Sequence, residues 1–508
     1  MNLNVSDKSI RLPVNRLIVG AFLLAGLTTG VLVEGAPGSL PARMEPVMLD
    51  SGPLENLRAE PAVLYSRDLD LGADVPWVRV LFDKETTLAP GSFIRVTSLL
   101  DGETQILDAQ ELENWGYGTA FFNGSEVKIE VIGGAEAKTD RVRISEVFAG
   151  TPPDEQRVDN VASICTGPGG NDDRILEFDA AVGRLLPGDL RAENSKGGSV
   201  CVGGTNSGNP CTTSAECPPR PPLVPQIDAP RCSGATGYCT AWIEAGNSGV
   251  DKRHLTAGHC FSYTDASGVV RLSSTKGGYG GPPWVLEFKV PASNRDCTVV
   301  HPPVNRQFPV DLGTIIFRDN VVGDDWGVFK CLPNVEGLTT YEKQGAALVL
   351  RTQAVTTGSM VRVTGYGADG TDLPPGGNDA AACTCTPANM TGTRNAVLQT
   401  QTGPLLVHGA LQLDHQVDTC FQNSGSPIIF GAGNSRRAIG IHTHGGCQAA
   451  VNPTNSGTAV SNPNLQGSLT GLAVKKIPAV SEWGLVVLTL LLLTGIAHKF
   501  GRRAAVQT

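Results

Sequence analysis

Asp418-Thr419-Cys420-Phe421-Gln422-Asn423-Ser424-Gly425-Ser426-Pro427 decides how this chain is read. A serine sits among small residues, after a cysteine and ahead of a glycine and a proline. Glycine frees φ and proline fixes it, so the run predicts a tight turn rather than a strand or helix. A tight turn presents a hydroxyl at a cleft and leaves backbone N–H groups beside it. A nucleophilic serine and an anion-stabilising hole both need this. Taken alone, the run is also ordinary loop composition.

A second stretch lies far upstream, Leu255-Thr256-Ala257-Gly258-His259-Cys260. A serine hydroxyl is a poor nucleophile until an imidazole takes its proton. The imidazole in turn needs a buried carboxylate to fix its tautomer and stabilise its charged form. Between the two stretches runs Pro309-Val310-Asp311-Leu312-Gly313-Thr314-Ile315-Ile316-Phe317, one acid in an apolar, β-prone segment. A buried aspartate requires a partner, and His259 is a candidate. Asp311 is favoured over Asp319 and over the pair Asp324–Asp325.

In this order the residues resemble the chymotrypsin-like (trypsin-fold) serine proteases, and within them the bacterial branch of lysyl and glutamyl endopeptidases. The resemblance covers roughly residues 160–475. It implies that His259 is the general base, Asp311 its orienting acid and Ser424 the nucleophile. It implies an oxyanion hole made by the backbone N–H groups of Gln422 and Ser424. It also implies disulfides Cys239–Cys260 and Cys420–Cys447. The substrate strand would be Gly440-Ile441-His442-Thr443-His444-Gly445-Gly446-Cys447, with His442, Thr443, His444 and Gly445 touching substrate. The implied reaction is peptide hydrolysis through an acyl-enzyme on protein or peptide substrates, with neither cofactor nor metal.

Two residues depart from the family pattern. Gln422 stands where the family usually has glycine, which lets the peptide turn its N–H into the hole. Asn423 stands where animal trypsins carry the aspartate that binds a newly cut N-terminus, so the site is expected not to depend on that ion pair. Specificity is divided. Asp418, six residues before Ser424, matches the acid that binds Lys or Arg, whereas His442 matches a pocket histidine of glutamyl endopeptidases. Cleavage after Lys or Arg is favoured; Asp418 as a plain loop acid, or paired with His442, stays open.

Composition bounds the rest. At 508 residues the chain exceeds one ordinary domain. Hydrophobic residues make up 41%, enough for normal cores, and 61 Gly with 34 Pro point to an all-β protein rich in turns. The net charge is −9 with no dominant basic patch, which argues against a nucleic-acid partner. Thirteen cysteines imply an oxidising compartment.

The ends carry sorting features. Lys8, Arg11 and Arg16 precede the apolar run Leu17 to Leu27, the form of a secretory signal peptide over residues 1–36. Residues 477–508 hold Ile477-Pro478-Ala479-Val480-Ser481-Glu482-Trp483-Gly484, then an apolar run to Ala497, then Lys499, Arg502 and Arg503. This resembles the C-terminal signals that bacterial exosortases process, of the type beginning Ile-Pro-Thr-Leu, with Ala479-Val480 in place of Thr-Leu. The expectation is a C-terminal transmembrane helix with an interfacial tryptophan and a cytoplasmic basic tail. A sorting peptidase and the membrane would then be partners, and the protein would be exported and held at the membrane or cell surface.

Between these ends the expected order is a linker (37–60), an N-terminal β-sandwich (61–150) and a two-barrel trypsin-like domain (151–475) with a Cys-rich insertion (196–236). The sandwich reading rests on alternating runs such as Trp77–Phe82, Phe93–Val96 and Val127–Ile132. Trp115, Tyr117, Phe121 and Phe122 read as core rather than as a ligand platform. In the insertion, Cys201, Cys211, Cys217 and Cys232 read as a small disulfide knot, with zinc as the rival. Cys297 and Cys331 bracket the Asp311 strand as a possible pair, and Cys165 is expected to reach Cys383 or Cys385. Besides a serine endopeptidase, two functions remain open. One is an inactive homologue that binds protein; the other is an adhesion or glycan-binding protein working through residues 61–150.

Overall fold

The computed structural model describes residues 38–151, 164–165, 172–189, 200–202, 231–246, 249–264, 270–273, 282–369, 392–447 and 454–471. The expected signal peptide, sorting motif and transmembrane segment lie outside these residues, as do Cys211, Cys217, Cys383 and Cys385. Among the described residues, no helix is long and apolar enough to cross a membrane.

Among the described residues, eight strands come first: β1 (Gly38–Asp50), β2 (Ala62–Asp70), β3 (Trp77–Phe82), β4 (Phe93–Ser98), β5 (Thr104–Leu107), β6 (Phe122–Asn123), β7 (Glu126–Gly133) and β8 (Arg143–Gly150). Strands β2, β7, β4 and β5 form a four-stranded sheet, and β1, β8, β3 and β6 lie side by side in a second. Period-2 patterning sets the faces. In β7 the aliphatic residues Val127, Ile129 and Val131 are buried, while Glu126, Lys128 and Glu130 face outward. Trp115, Phe121 and Phe122 are buried in the core beneath these sheets, and Tyr117 packs against them. Strand β1 occupies much of the expected linker.

Two closed barrels follow. After β9 (Ile175–Leu176) come β10 (Val182–Leu186), β11 (Val200–Val202), β12 (Arg231–Glu244), β13 (Arg253–Thr256), β14 (Ser262–Thr264), β15 (Val270–Leu272), β16 (Val285–Glu287), β17 (Gln307–Asp319) and β18 (Asp325–Cys331). Antiparallel pairing runs β10–β12–β13–β18–β17–β16 and returns to β10, closing six strands. Its interior holds Ile243, Phe261, Trp284, Leu286, Phe308 and Phe329. Each fully buried side chain of this kind contributes about 1.5–3 kcal/mol.

The second barrel uses β19 (Met360–Gly367), β20 (Val397–His408), β21 (Gln412–His415), β22 (Pro427–Phe430), β23 (Arg437–His444) and β24 (Asn455–Ala459). Pairing runs β19–β20–β21–β24–β23–β22 and returns to β19. Val361, Val363, Leu405, Leu413, Ile428 and Ile439 fill it. Closure removes the exposed sheet edges that a set of short strands would otherwise leave.

The N-terminal sheets are not strung on a free linker. Gly38–Ala42 of β1 pair with Tyr238–Gly234 of β12, and the rest of β1 pairs with β8. One sheet therefore runs from the first barrel into the N-terminal region. Side chains reinforce the join. The Gln307 amide exchanges two hydrogen bonds with the Phe121 backbone, both 2.8 Å. The fully buried Arg79 donates to Gly188 O and Pro283 O. The His301 ring stacks on Phe121 at 4.6 Å.

Candidate active site

The first expected residue, His259, sits in a single 3₁₀ turn (Gly258–Cys260) directly after β13. The turn passes so close to β17 that a Cβ on Gly258 would lie 1.9 Å from Arg318 O, so only glycine fits there. A disulfide between Cys239 of β12 and Cys260 fixes the turn to the barrel wall. Cys239, His259 and Cys260 are the one cluster of potential metal ligands among the described residues. Both sulfurs are disulfide-bonded, so the cluster offers no thiolate.

The acid beside His259 is Asp325, not Asp311. His259 Nδ1 lies 2.6 Å from Asp325 Oδ2. The other oxygen, Oδ1, accepts the N–H groups of Gly258 (2.6 Å) and His259 (3.0 Å). Burial works against ionisation of Asp325, but the facing imidazole and these hydrogen bonds outweigh it and hold the carboxyl below its ordinary range. Thr458 of β24 brackets the Asp325 backbone, donating from Oγ1 to Asp325 O (2.7 Å) and accepting from its N–H (3.2 Å).

Asp311 lies elsewhere because β17 is bulged. It pairs with Lys330, whereas the next paired residue, Ile316, lies opposite Val328, so extra residues loop out between them. Asp311 Oδ1 accepts the Gly313 N–H in that loop (3.0 Å). Lys330 is five positions along β18 from Asp325, or about 17 Å at strand rise. The signal was present: Gly313-Thr314 interrupts the apolar run after Asp311, while Asp325 heads the unbroken and mostly buried run Trp326-Gly327-Val328-Phe329.

Ser424 lies in the turn between β21 and β22, half-buried, and the turn packs on the first barrel. Ser424 O accepts the Thr240 N–H at 2.8 Å. Gly425 has φ +90°, and a Cβ there would stand 2.0 Å from Thr240 O and 3.1 Å from Ala257 N. The serine turn and the residue two before His259 are thus in direct contact across the barrel interface. Among the described residues, the N–H groups of Gln422 and Ser424 donate to no backbone or side-chain acceptor, whereas Asn423, Gly425 and Ser426 donate to Cys420 O, His442 O and Asn423 O.

Gln422 adopts φ +77°, the backbone region glycine enters freely. The chain therefore keeps the geometry a glycine would give, at a cost of about 1–2 kcal/mol for a side chain in that region. Its Oε1 is buried and accepts no hydrogen bond among the described residues. Gln422→Gly should raise the unfolding free energy by about 1 kcal/mol with the turn unchanged. Urea unfolding checks this, and a clear loss of stability would show that the glutamine side chain holds the turn.

Asn423 is buried. Its amide donates to Cys420 O (3.3 Å), and its Oδ1 accepts from Ser426 Oγ (3.4 Å). Asp418 is buried too, and both its oxygens accept backbone N–H groups, from Cys165 (2.8 Å) and Asp173 (3.2 Å). Burial pushes its pKa up to about 6, against those hydrogen bonds. Asp418 thus fixes a segment behind the serine turn, which leaves the basic preference without its main support. His442 Nδ1 lies 3.3 Å from His415 Nε2. Burial pushes the His442 imidazole well below its ordinary value, and the neighbouring histidines add to the effect. Thr443 Oγ1 bonds His444 Nδ1 at 2.8 Å. His444 stands edge-on to His259, ring centroids 6.2 Å apart, with Nδ1 4.0 Å from Asp325 Oδ2. The Asp325 carboxylate thus faces two imidazoles, which the motif reading did not foresee. Gly445 follows directly after β23.

The remaining cysteine expectations change. Cys447 is bonded to Cys165, not Cys420, and the Cys165 N–H donates to Asp418 Oδ1. Cys420 and Cys297 are each disulfide-bonded. Cys331 is a buried free thiol, so it does not pair with Cys297.

No protein-family model and no curated protein matches the sequence. Among solved structures, the chain is similar to a thermostable serine protease, AL20, from an extremophilic microorganism: 13% identity and TM-score 0.32 over 47% of this chain and 91% of that one. It is similar to a Glu endopeptidase at 16% identity and TM-score 0.31, over 47% of this chain and 86% of that one. It is also similar to the protease Anisep from Arthrobacter nicotinovorans at 10% identity and TM-score 0.35, over 59% of this chain and all of that one.

Proposed function

We propose that the protein is a serine endopeptidase that hydrolyses peptide bonds through an acyl-enzyme, with Ser424 as nucleophile, His259 as general base and Asp325 as the orienting acid. The reading is carried by the buried Asp325 carboxylate, which holds His259 Nδ1 at 2.6 Å across the barrel interface from the Ser424 turn. In this reading Asp325 fixes the tautomer that leaves Nε2 to accept the Ser424 proton and later return it to the leaving amine. The N–H groups of Gln422 and Ser424 receive the oxyanion; one such donor is typically worth about 3–4 kcal/mol.

Substrate preference is for a residue other than Lys or Arg before the scissile bond, since Asp418 is buried and turned to the backbone N–H groups of Cys165 and Asp173. A peptide-library cut profile dominated by Lys or Arg would overturn this preference. Export through the N-terminal segment, and retention at a membrane or cell surface until a sorting peptidase acts, complete the proposal. The test of the chemistry is a fluorophosphonate probe on the oxidised protein. A covalent adduct mapped to Ser424 is expected; no adduct would favour the inactive, protein-binding homologue.

A further inference from the structure

Behind the serine turn lies a fully buried cation, Arg174. Its guanidinium is held by Asp172 through Nε (2.9 and 3.1 Å) and Nη2 (2.6 Å). Asp369 stands 3.9 Å from Nη2, and Arg394 donates to Arg174 O at 2.6 Å. Nη1 donates to Ala368 O at 3.1 Å, and the N–H of the same Ala368 donates to Phe421 O at 3.0 Å. Phe421 O and Gln422 N–H belong to one peptide group. A trans peptide is planar, so its C=O and N–H point in opposite directions. With the carbonyl tied to Ala368, the Gln422 N–H is aimed away from Ala368. The guanidinium also packs beside Asn423. A Cβ on Gly367 would meet Asn423 Nδ2 at 2.5 Å and Arg174 Nη1 at 2.7 Å.

We infer that Arg174, acting through Ala368, is a positioning residue that keeps the oxyanion hole assembled. The Phe421–Gln422 peptide has two orientations available, and Gln422 meets a steric cost in the one observed. The Arg174–Ala368–Phe421 chain offsets that cost. Because the cation is an internal side chain, the hole is formed in the uncut polypeptide and does not wait for a new N-terminus. This inference rests on the serine endopeptidase reading and names how that site is held ready.

The test is Arg174→Ala in the full-length oxidised protein, assayed on a peptide substrate with active-site titration. A fall in kcat of about 100-fold with KM within twofold is expected, the size of losing one hole donor. Millimolar guanidinium, but not equimolar sodium chloride, should restore part of the loss. Wild-type kcat in Arg174→Ala, or a loss that guanidinium leaves unchanged, overturns the inference. If that variant does not fold, Asp172→Asn keeps the cation but loosens its hold. A graded fall in kcat at constant KM is then expected, and an unchanged kcat overturns the inference. Wild-type protein that forms no adduct with the fluorophosphonate contradicts the endopeptidase reading itself, whereas an active wild type with an equally active Arg174→Ala contradicts only the clamp.

Discussion

Asp325→Asn should lower kcat by about 10⁴-fold, while Asp311→Asn should leave it within twofold. The contrast follows from the two environments. Asp325 accepts three hydrogen bonds, from His259 Nδ1 and from the backbone of Gly258 and His259. An asparagine can present an oxygen to the two backbone donors only by turning its NH₂ toward the imidazole. The ring then takes the tautomer with its proton on Nε2 and loses its capacity as a base. Asp311 is partly exposed and closes a local turn with Gly313. Steady-state kinetics of both variants, with circular dichroism to show that they fold, check the result. A comparable loss in Asp311→Asn would reverse the assignment.

Ser424→Ala should lower kcat by about 10⁶-fold and abolish the fluorophosphonate adduct. The change removes one oxygen from a half-buried position and leaves both barrels intact. The Ser424 O to Thr240 N–H bond belongs to the backbone and survives the substitution. Stability should therefore be close to wild type, and substrate binding should persist while turnover vanishes. Binding can be read by fluorescence anisotropy of an uncleaved peptide. Residual turnover within tenfold of wild type would exclude Ser424 as the nucleophile.

Much of the architecture could be read from local pattern. Alternation such as Glu126–Val131 set the two faces of β7, and the Gly-Ser-Pro composition around Ser424 placed the turn. The Cys239–Cys260 disulfide followed from the family resemblance and holds in the structure. The choice among acids could not be read in this way, because it depends on where β17 departs from regular pairing. Gly313 and Thr314 mark that bulge, but an isolated sequence gives no register with β18. The role of Arg174 was also hidden. Nothing in Asp172-Asp173-Arg174 announces that the arginine is buried beneath a loop some 250 residues later.

The β class, the turn that carries Ser424 and the backbone freedom around Gly425 are legible in the sequence alone. These are properties of a few adjacent residues, and the physics of turns and alternation acts over that range. Tertiary structure alone decided four other things: that Asp325 faces the imidazole, that Asp418 turns to the backbone of Cys165 and Asp173, that Cys165 meets Cys447, and that β1 joins the N-terminal sheets to the first barrel. Each depends on strand register and on which distant segments share a buried space. Hydrogen bonds and packing between residues far apart in the chain fix these, and no local composition does.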